Sequence, residues 1–228
     1  MRHEFQKIIV VALGGSIVYP EHIDVRFLKN FKSFIKKFIK QGRRFVLVVG
    51  GGRICRIYQE AATKIVQLTD DDKDWLGIHA TRTNAHLVRT MFRDIADPVV
   101  IDARKKTKKL RYPVTVAAGW RPGWSTDYVA AVLAHDFGIK EFIVAGKPDG
   151  VYTKDPERYA NARHIPQLLW REYRSMIPKK WKPGFHSPVD PIAAQLADMQ
   201  GLAAIIINGR NLENFAKVLQ SYAAQDIQ

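Results

Sequence analysis

The sequence predicts an α/β protein built on a mostly parallel sheet with helices on both faces. Two observations carry this reading. Short apolar, β-branched runs alternate along the chain with amphipathic helical patterns. Those runs are also near-continuous in their hydrophobicity, as strands covered on both sides are, whereas a half-solvated sheet alternates residue by residue. A length of 228 residues suits one domain over 1–228 whose two lobes change near residue 140. An eight-fold barrel is excluded, because it needs ~250 residues and the pattern supplies only six or seven strands.

The elements follow in order. Lys7–Leu13 reads as a buried strand closed by Gly14-Gly15-Ser16. From Asp24 to Lys40, Leu28, Phe31, Ile35 and Phe38 recur at helical spacing, with Lys29, Lys32, Lys36 and Lys40 on the opposite face. Gly42 stops that helix, where a left-handed residue is favoured. Phe45–Val49 is a second buried strand, ended by Gly50-Gly51-Gly52. The helix from about Arg53 is expected to bury Ile54, Ile57, Ala61 and Ile65. A polar stretch, Thr69 to Asp74, leads into a helical run around Ile78–Phe92. Pro98–Ile101 and Pro113–Ala117 read as short strands around a basic linker. A turn with Gly119, Pro122 and Gly123 precedes a helix that Ser125 or Thr126 can cap. Glu141–Ala145 is another strand, and the turn-rich stretch from Gly146 to Pro166 predicts a hairpin excursion. Helices near Gln167–Met176 and Pro188–Met199, strand Ala203–Ile207 and helix Leu212–Tyr222 complete the pattern.

Composition narrows the class. No apolar run reaches the ~20 residues of a membrane span, and no signal-peptide pattern opens the chain, so a cytoplasmic protein without membrane association is expected. A single cysteine excludes an internal disulfide framework and a cysteine-rich zinc site. The net charge of +14 is compatible with a polyanionic partner or with phosphate-rich substrates. Its excess is spread over the Lys29–Lys40 helix face, the segment Arg104–Arg111 and the cluster Lys179–Lys182, with no nucleic-acid recognition motif. Specific nucleic-acid binding is therefore not expected.

Loops leaving the carboxyl ends of parallel strands lie on one edge of the sheet, where ligands bind. Three such loops here are glycine-rich: Gly14 to Ser16, Gly50 to Gly52, and Gly119 to Thr126. Glycine lets backbone N–H groups approach phosphate oxygens, and a following helix adds its unpaired amides and positive dipole end. Three loops on one edge point to two phosphate-bearing ligands facing each other. The P-loop, dinucleotide, nucleophile-elbow and HExxH zinc motifs are all missing. Cys55 reads as a small packed residue.

Five segments carry a resemblance: LGGS (Leu13–Ser16), VVGGGR (Val48–Arg53), TRTNAH (Thr81–His86), PGWSTDYVAAVLA (Pro122–Ala134) and DGVYTKDP (Asp149–Pro156). Together they resemble the amino acid kinase superfamily, most closely its archaeal-type UMP kinase branch, over nearly the whole chain. The resemblance implies a three-layer αβα sandwich with a mainly parallel central sheet, an acceptor-binding lobe over about 1–140 and an ATP-binding lobe over about 141–228. It implies Mg²⁺ delivered with ATP, no direct side-chain ligand to the metal, and phosphorylation of UMP to UDP. A homo-oligomer, a hexamer for instance, is the expected assembly.

Carried over by motif, Gly14, Gly15, Ser16 and Gly52 would line the ATP phosphates, with Arg56 and Lys147 as cations beside them. Gly51 would contact the acceptor and Asp74 its ribose. Trp120, Arg121, Pro122, Gly123, Trp124, Ser125 and Thr126 would wrap the acceptor phosphate, Thr126 capping its helix. Tyr152 and Asp155 would hold adenine and ribose. Asp127, Arg56 and Asp190 would form the catalytic set, Asp127 orienting basic groups. Phosphoryl transfer asks for in-line positioning and charge neutralisation more than for covalent chemistry, and this residue set suits that. Two positions depart from the family pattern. Many members carry lysine where Ala12 stands, and Lys147-Pro148 replaces the Asn-Val common before Asp149-Gly150. Lys147 or Arg53 could supply the missing charge. The alternatives left open are a non-catalytic nucleotide or oxyanion binder on the same fold, and a related kinase with another phosphate or carboxylate acceptor.

Overall fold

The computed structural model describes residues 7–179 and 187–220. Lys180 to Lys182 of the third basic cluster and the expected last two residues of the final helix lie outside them. The chain runs β1 (Ile8–Leu13), α1 (Gly15–Val18), α2 (Val25–Lys40), β2 (Arg44–Val49), α3 (Gly52–Thr63) and α4 (Asp70–Met91). It continues with β3 (Val114–Ala117), α5 (Thr126–Asp136), β4 (Glu141–Gly146), β5 (Val151–Tyr152) and β6 (His164–Ile165). α6 (Trp170–Met176), α7 (Pro191–Gln200), β7 (Ala203–Asn208) and α8 (Leu212–Gln220) close it.

Five strands form one sheet in the order β3-β2-β1-β4-β7, every pairing parallel. The expected parallel sheet with helices on both faces is what the chain forms. β4 pairs directly with β1, so the sheet runs unbroken across residue 140. Alternation along β1 splits the core. Ile9, Val11 and Leu13 meet Phe31, Ile35 and Phe38 of α2 and Val88 of α4. Val10 and Ala12 meet Val129, Ala130 and Leu133 of α5 and Ala194 of α7 on the other face. The hairpin expected in the turn-rich stretch is present as β5 paired antiparallel with β6.

Four expectations need correction. Pro98–Ile101 is not a strand: it touches β3 through one isolated bridge at Ile101, a second lying just before it at Ala96, and Pro98 between them cannot donate to a ladder. The polar stretch after Thr69 is the first turn of α4, with Thr69 and Asp72 forming a reciprocal capping box. α3 is amphipathic yet buries no residue: Ile57 is 42% exposed and Ile65, beyond the helix end, 86%. Gly15 to Val18 adds a single helical turn where a loop was expected.

Candidate active site

Parallel pairing brings the carboxyl ends of all five strands to one edge, and the loops there interlock. The Gly14 amide donates to Ala145 O (2.9 Å) and the Gly50 amide to Leu13 O (2.9 Å), tying the loops after β1, β2 and β4 together. Gly15 lies directly on Gly50 to Gly52, and a Cβ on Gly15 would overlap the Gly52 amide nitrogen. Gly52 itself holds a φ of +67°, which starts α3 with a conformation L side chains avoid. The Arg53 amide then donates to Tyr19 O at 2.9 Å, closing α1 against α3.

α4 fastens the loops after β2 and β3. The Asn84 amide group, buried, donates to the carbonyls of Gly50 and Gly51, both at 2.9 Å. The Thr81 hydroxyl accepts from the Gly119 amide (2.8 Å) and donates to Ile78 O (2.6 Å). Asp74, one turn into the helix, accepts from the Gly123 amide at 2.7 Å. Burial pushes the Asp74 pKa up, its hydrogen bond to Gly123 pulling the other way. Sequence reasoning assigned no role to Asn84 or Thr81, although TRTNAH puts them three apart on a helix, hence on one face.

Within the loop after β3, Trp120 turns inward. Its side chain is buried and its indole N–H donates to Ile101 O at 3.2 Å, so only its main chain is available to a ligand. The exposed Arg121 guanidinium lies over the Trp124 ring, 4.6 Å from the centroid. Ser125, not Thr126, caps α5: its hydroxyl accepts from the Tyr128 amide at 3.0 Å. The extended backbone of Ser125 aims its side chain at the helix amides, whereas Thr126 is already helical.

Asp127 and Asp190 meet between α5 and α7. The Ser125 hydroxyl donates to Asp190 Oδ2, and Asp190 Oδ1 caps α7 by accepting from the amides of Ile192 (2.8 Å) and Ala193 (3.1 Å). Part of Asp127 stays accessible, but its carboxyl is enclosed. Burial and then the neighbouring Asp190 charge push its pKa well above the usual carboxylate range, against a hydrogen bond from the Asp190 backbone. Asp190 is raised mainly by burial. Two enclosed carboxylates resist joint ionisation and gain when a cation neutralises them.

The cations divide. Arg53 is committed to Glu60 at 2.6 Å and Glu21 at 3.6 Å, away from the role of replacement cation. Arg56 is half-buried one turn inside α3, near Cys55, whose thiol burial pushes up. Lys147 is exposed at the end of β4. Ala12 is 2% exposed and packed in the core.

On the other side of the edge, a cavity of about 450 Å³ opens between the β5–β6 hairpin, the end of β7 and α8. Asp149, Tyr152, His164, Asn208, Asn211 and Lys217 are among its lining. The Tyr152 hydroxyl donates to Asp149 at 2.8 Å, and its ring meets His164 edge-on at 5.2 Å. Asp155 is not in this lining; it pairs with Arg158 at 3.3 Å and caps a surface turn through the Glu157 amide. His164 and the asparagines had no sequence signal beyond an Asn-Gly pair after a strand.

The amino acid kinase family model matches residues 7–208. The chain belongs to the amino acid kinase family. Its relatives include the uridylate kinase of Pyrococcus abyssi, 34% identical, covering 89% of this chain and 91% of that one. The uridylate kinase of Hyperthermus butylicus is 32% identical, covering 92% and 93%. The crystal structure of uridylate kinase from Archaeoglobus fulgidus superposes with a TM-score of 0.80 at 29% identity, covering 94% of this chain and 96% of that one. Among the described residues no helix is long and apolar enough to cross a membrane.

Proposed function

We propose that this chain transfers the γ-phosphoryl group of ATP to UMP, yielding ADP and UDP, as a cytoplasmic enzyme of pyrimidine nucleotide supply. One observation carries the reading: three glycine-rich loops share a sheet edge in a chain about 90% of whose length matches a relative named uridylate kinase. An oxygen of the UMP phosphate attacks the γ-phosphorus, the bond to the β-phosphate oxygen breaks, and ADP leaves.

Gly14, Gly15, Ser16 and Gly52 hold the ATP phosphates, with Arg56 and Lys147 offsetting charge. Tyr152 and the polar cavity beside it receive the nucleoside, and Asp155 approaches only if its turn moves. Gly51, Asp74, Arg121 and the main chain from Trp120 to Thr126 hold UMP. Asp127 and Asp190 orient the groups between the two phosphates. Among the described residues no three acidic, cysteine or histidine side chains gather around one point. The Asp127–Asp190 pair, which gains from a nearby cation, fits Mg²⁺ carried on ATP, and the ion would supply charge neutralisation.

The exposed stripe of Ile57, Tyr58, Ile65 and Val66, with Trp75 at 44% exposure nearby, supports a homo-oligomer, since monomers rarely leave such surface uncovered. A coupled ADP-release assay with UMP, CMP, dUMP, acetylglutamate and isopentenyl phosphate tests the acceptor, with light scattering on the same preparation for mass. Turnover with UMP above all others, in a particle heavier than the 26.0 kDa chain, is expected. Binding of ATP and UMP with no ADP released would establish the non-catalytic reading that Ala12 raises.

A further inference from the structure

Asp190 can bridge Ser125 and cap α7 only if the turn before it is held in one orientation, and the chain holds it from a distant helix. Tyr173 of α6 is 3% exposed, and its hydroxyl grips both polar groups of one residue. It donates to Val189 O at 2.6 Å and accepts from the Val189 amide at 2.8 Å. The Ser187 hydroxyl donates to the same carbonyl at 2.7 Å. Val189 is fully buried, so these groups have no solvent to fall back on. Burial pushes the Tyr173 pKa up to about 12, so the group is a neutral hydroxyl, able to donate and accept at once, at any working pH.

α6 has attachments besides these bonds. Trp170 fixes the same helix by donating its indole N–H to Leu202 O at 2.7 Å, and Arg174 pairs with Asp198 at 2.7 Å. The Tyr173 hydroxyl is spent on the residue next to Asp190. That placement sets two things at once: the Asp190 carboxylate toward Ser125, and the Asp190 backbone toward the Asp127 carboxyl.

We infer that Tyr173 is a positioning residue for phosphoryl transfer, locking the Ser187–Asp190 turn so that Asp190 and Asp127 face the reacting phosphates in register. The inference rests on the kinase reading above. It makes α6, outside every motif of the family resemblance, part of the catalytic support.

The test compares Tyr173→Phe, which keeps the ring and removes the hydroxyl, with Trp170→Phe, which removes the bond to Leu202 O from the same helix while keeping an aromatic ring edge-on to Tyr173. Tyr173→Phe is expected to lower kcat about tenfold, with KM for ATP and UMP changed by less than about twofold. Trp170→Phe should lower Tm and leave kcat near wild type. Unchanged kcat in folded Tyr173→Phe, or an equal loss in Trp170→Phe, overturns the inference. If Tyr173→Phe is insoluble, Ser187→Ala reads the same lock: a loss of about threefold in kcat at constant KM supports it, and no loss overturns it. A wild type inactive on every acceptor defeats the kinase reading instead. The lock is then judged by amide exchange over residues 187–193, which Tyr173→Phe or Ser187→Ala should speed and Trp170→Phe should not; unaltered exchange overturns it.

Discussion

Between Gly14 and Gly52 the sheet edge is held backbone against backbone, whereas the loop from Gly119 to Ser125 is held by side chains reaching in from helices. In the first region the Gly15 and Gly52 Cα atoms lie where any Cβ would strike main chain. In the second, Asp74, Thr81 and Asp190 supply the contacts to Gly123, Gly119 and Ser125. A Cβ on Gly123 would meet nothing within 4 Å, although its φ of +78° still favours glycine. The contrast teaches that the loops after β1 and β2 are rigid by exclusion, while the loop after β3 can be adjusted through the chemistry of the side chains that tether it.

The strongest way to break the comparison is Gly15→Ala. Because the new Cβ meets backbone and not a flexible side chain, we expect a loss of ~3 kcal/mol or more in denaturant unfolding and loss of ATP binding. Near-native stability would show that the loop pair can part.

Asp127→Asn follows. Turnover should fall ~100-fold or more, as for loss of a group acting in the transition state, with nucleotide affinity nearly kept. Its effect on stability has the opposite sign. The folded pKa of Asp127 is raised above the unfolded value, so the folded state holds its proton more tightly. Stability is then lost as pH climbs from about 4 through the raised value. Asparagine does not ionise, so the ligand-free variant should melt roughly 2–4 °C above wild type at pH 8, the gap closing as pH falls toward 4. A melting temperature lower than wild type at pH 8 would contradict the enclosed carboxylate pair.

Asn84→Ala sharpens the comparison at the join between the two regions, because α4 reaches the rigid pair here through side-chain bonds. Two buried carbonyls lose their donor, so a loss of ~2 kcal/mol is expected. KM for UMP should rise several-fold while KM for ATP stays put. An equal rise in both would mean that Asn84 serves the whole edge and not the Gly51 side.

The helices show how far the sequence could be read. α2 and α3 carry the same kind of apolar stripe, yet Phe31, Ile35 and Phe38 of α2 are buried and α3 buries nothing. Periodicity reports that one face is apolar; it does not report what covers it. The capping of α5 was legible down to two residues, and the choice between Ser125 and Thr126 waited on which one had extended backbone. Asp127 and Asp190 were readable as candidates from their motifs. Their joint enclosure between α5 and α7 was not, because it depends on helix packing 63 residues apart in the chain.

By itself the sequence determined the parallel sheet, the three glycine-rich loops and the family, since strand hydrophobicity, turn chemistry and motif order are local properties of the chain. Tertiary structure alone decided that Gly15 is seated on Gly52, that Asn84 and Thr81 tether two loops to one helix, and that Tyr173 holds the turn before Asp190. These are contacts between distant segments. Such partners become visible only when the sheet order and helix packing have brought them within hydrogen-bonding distance.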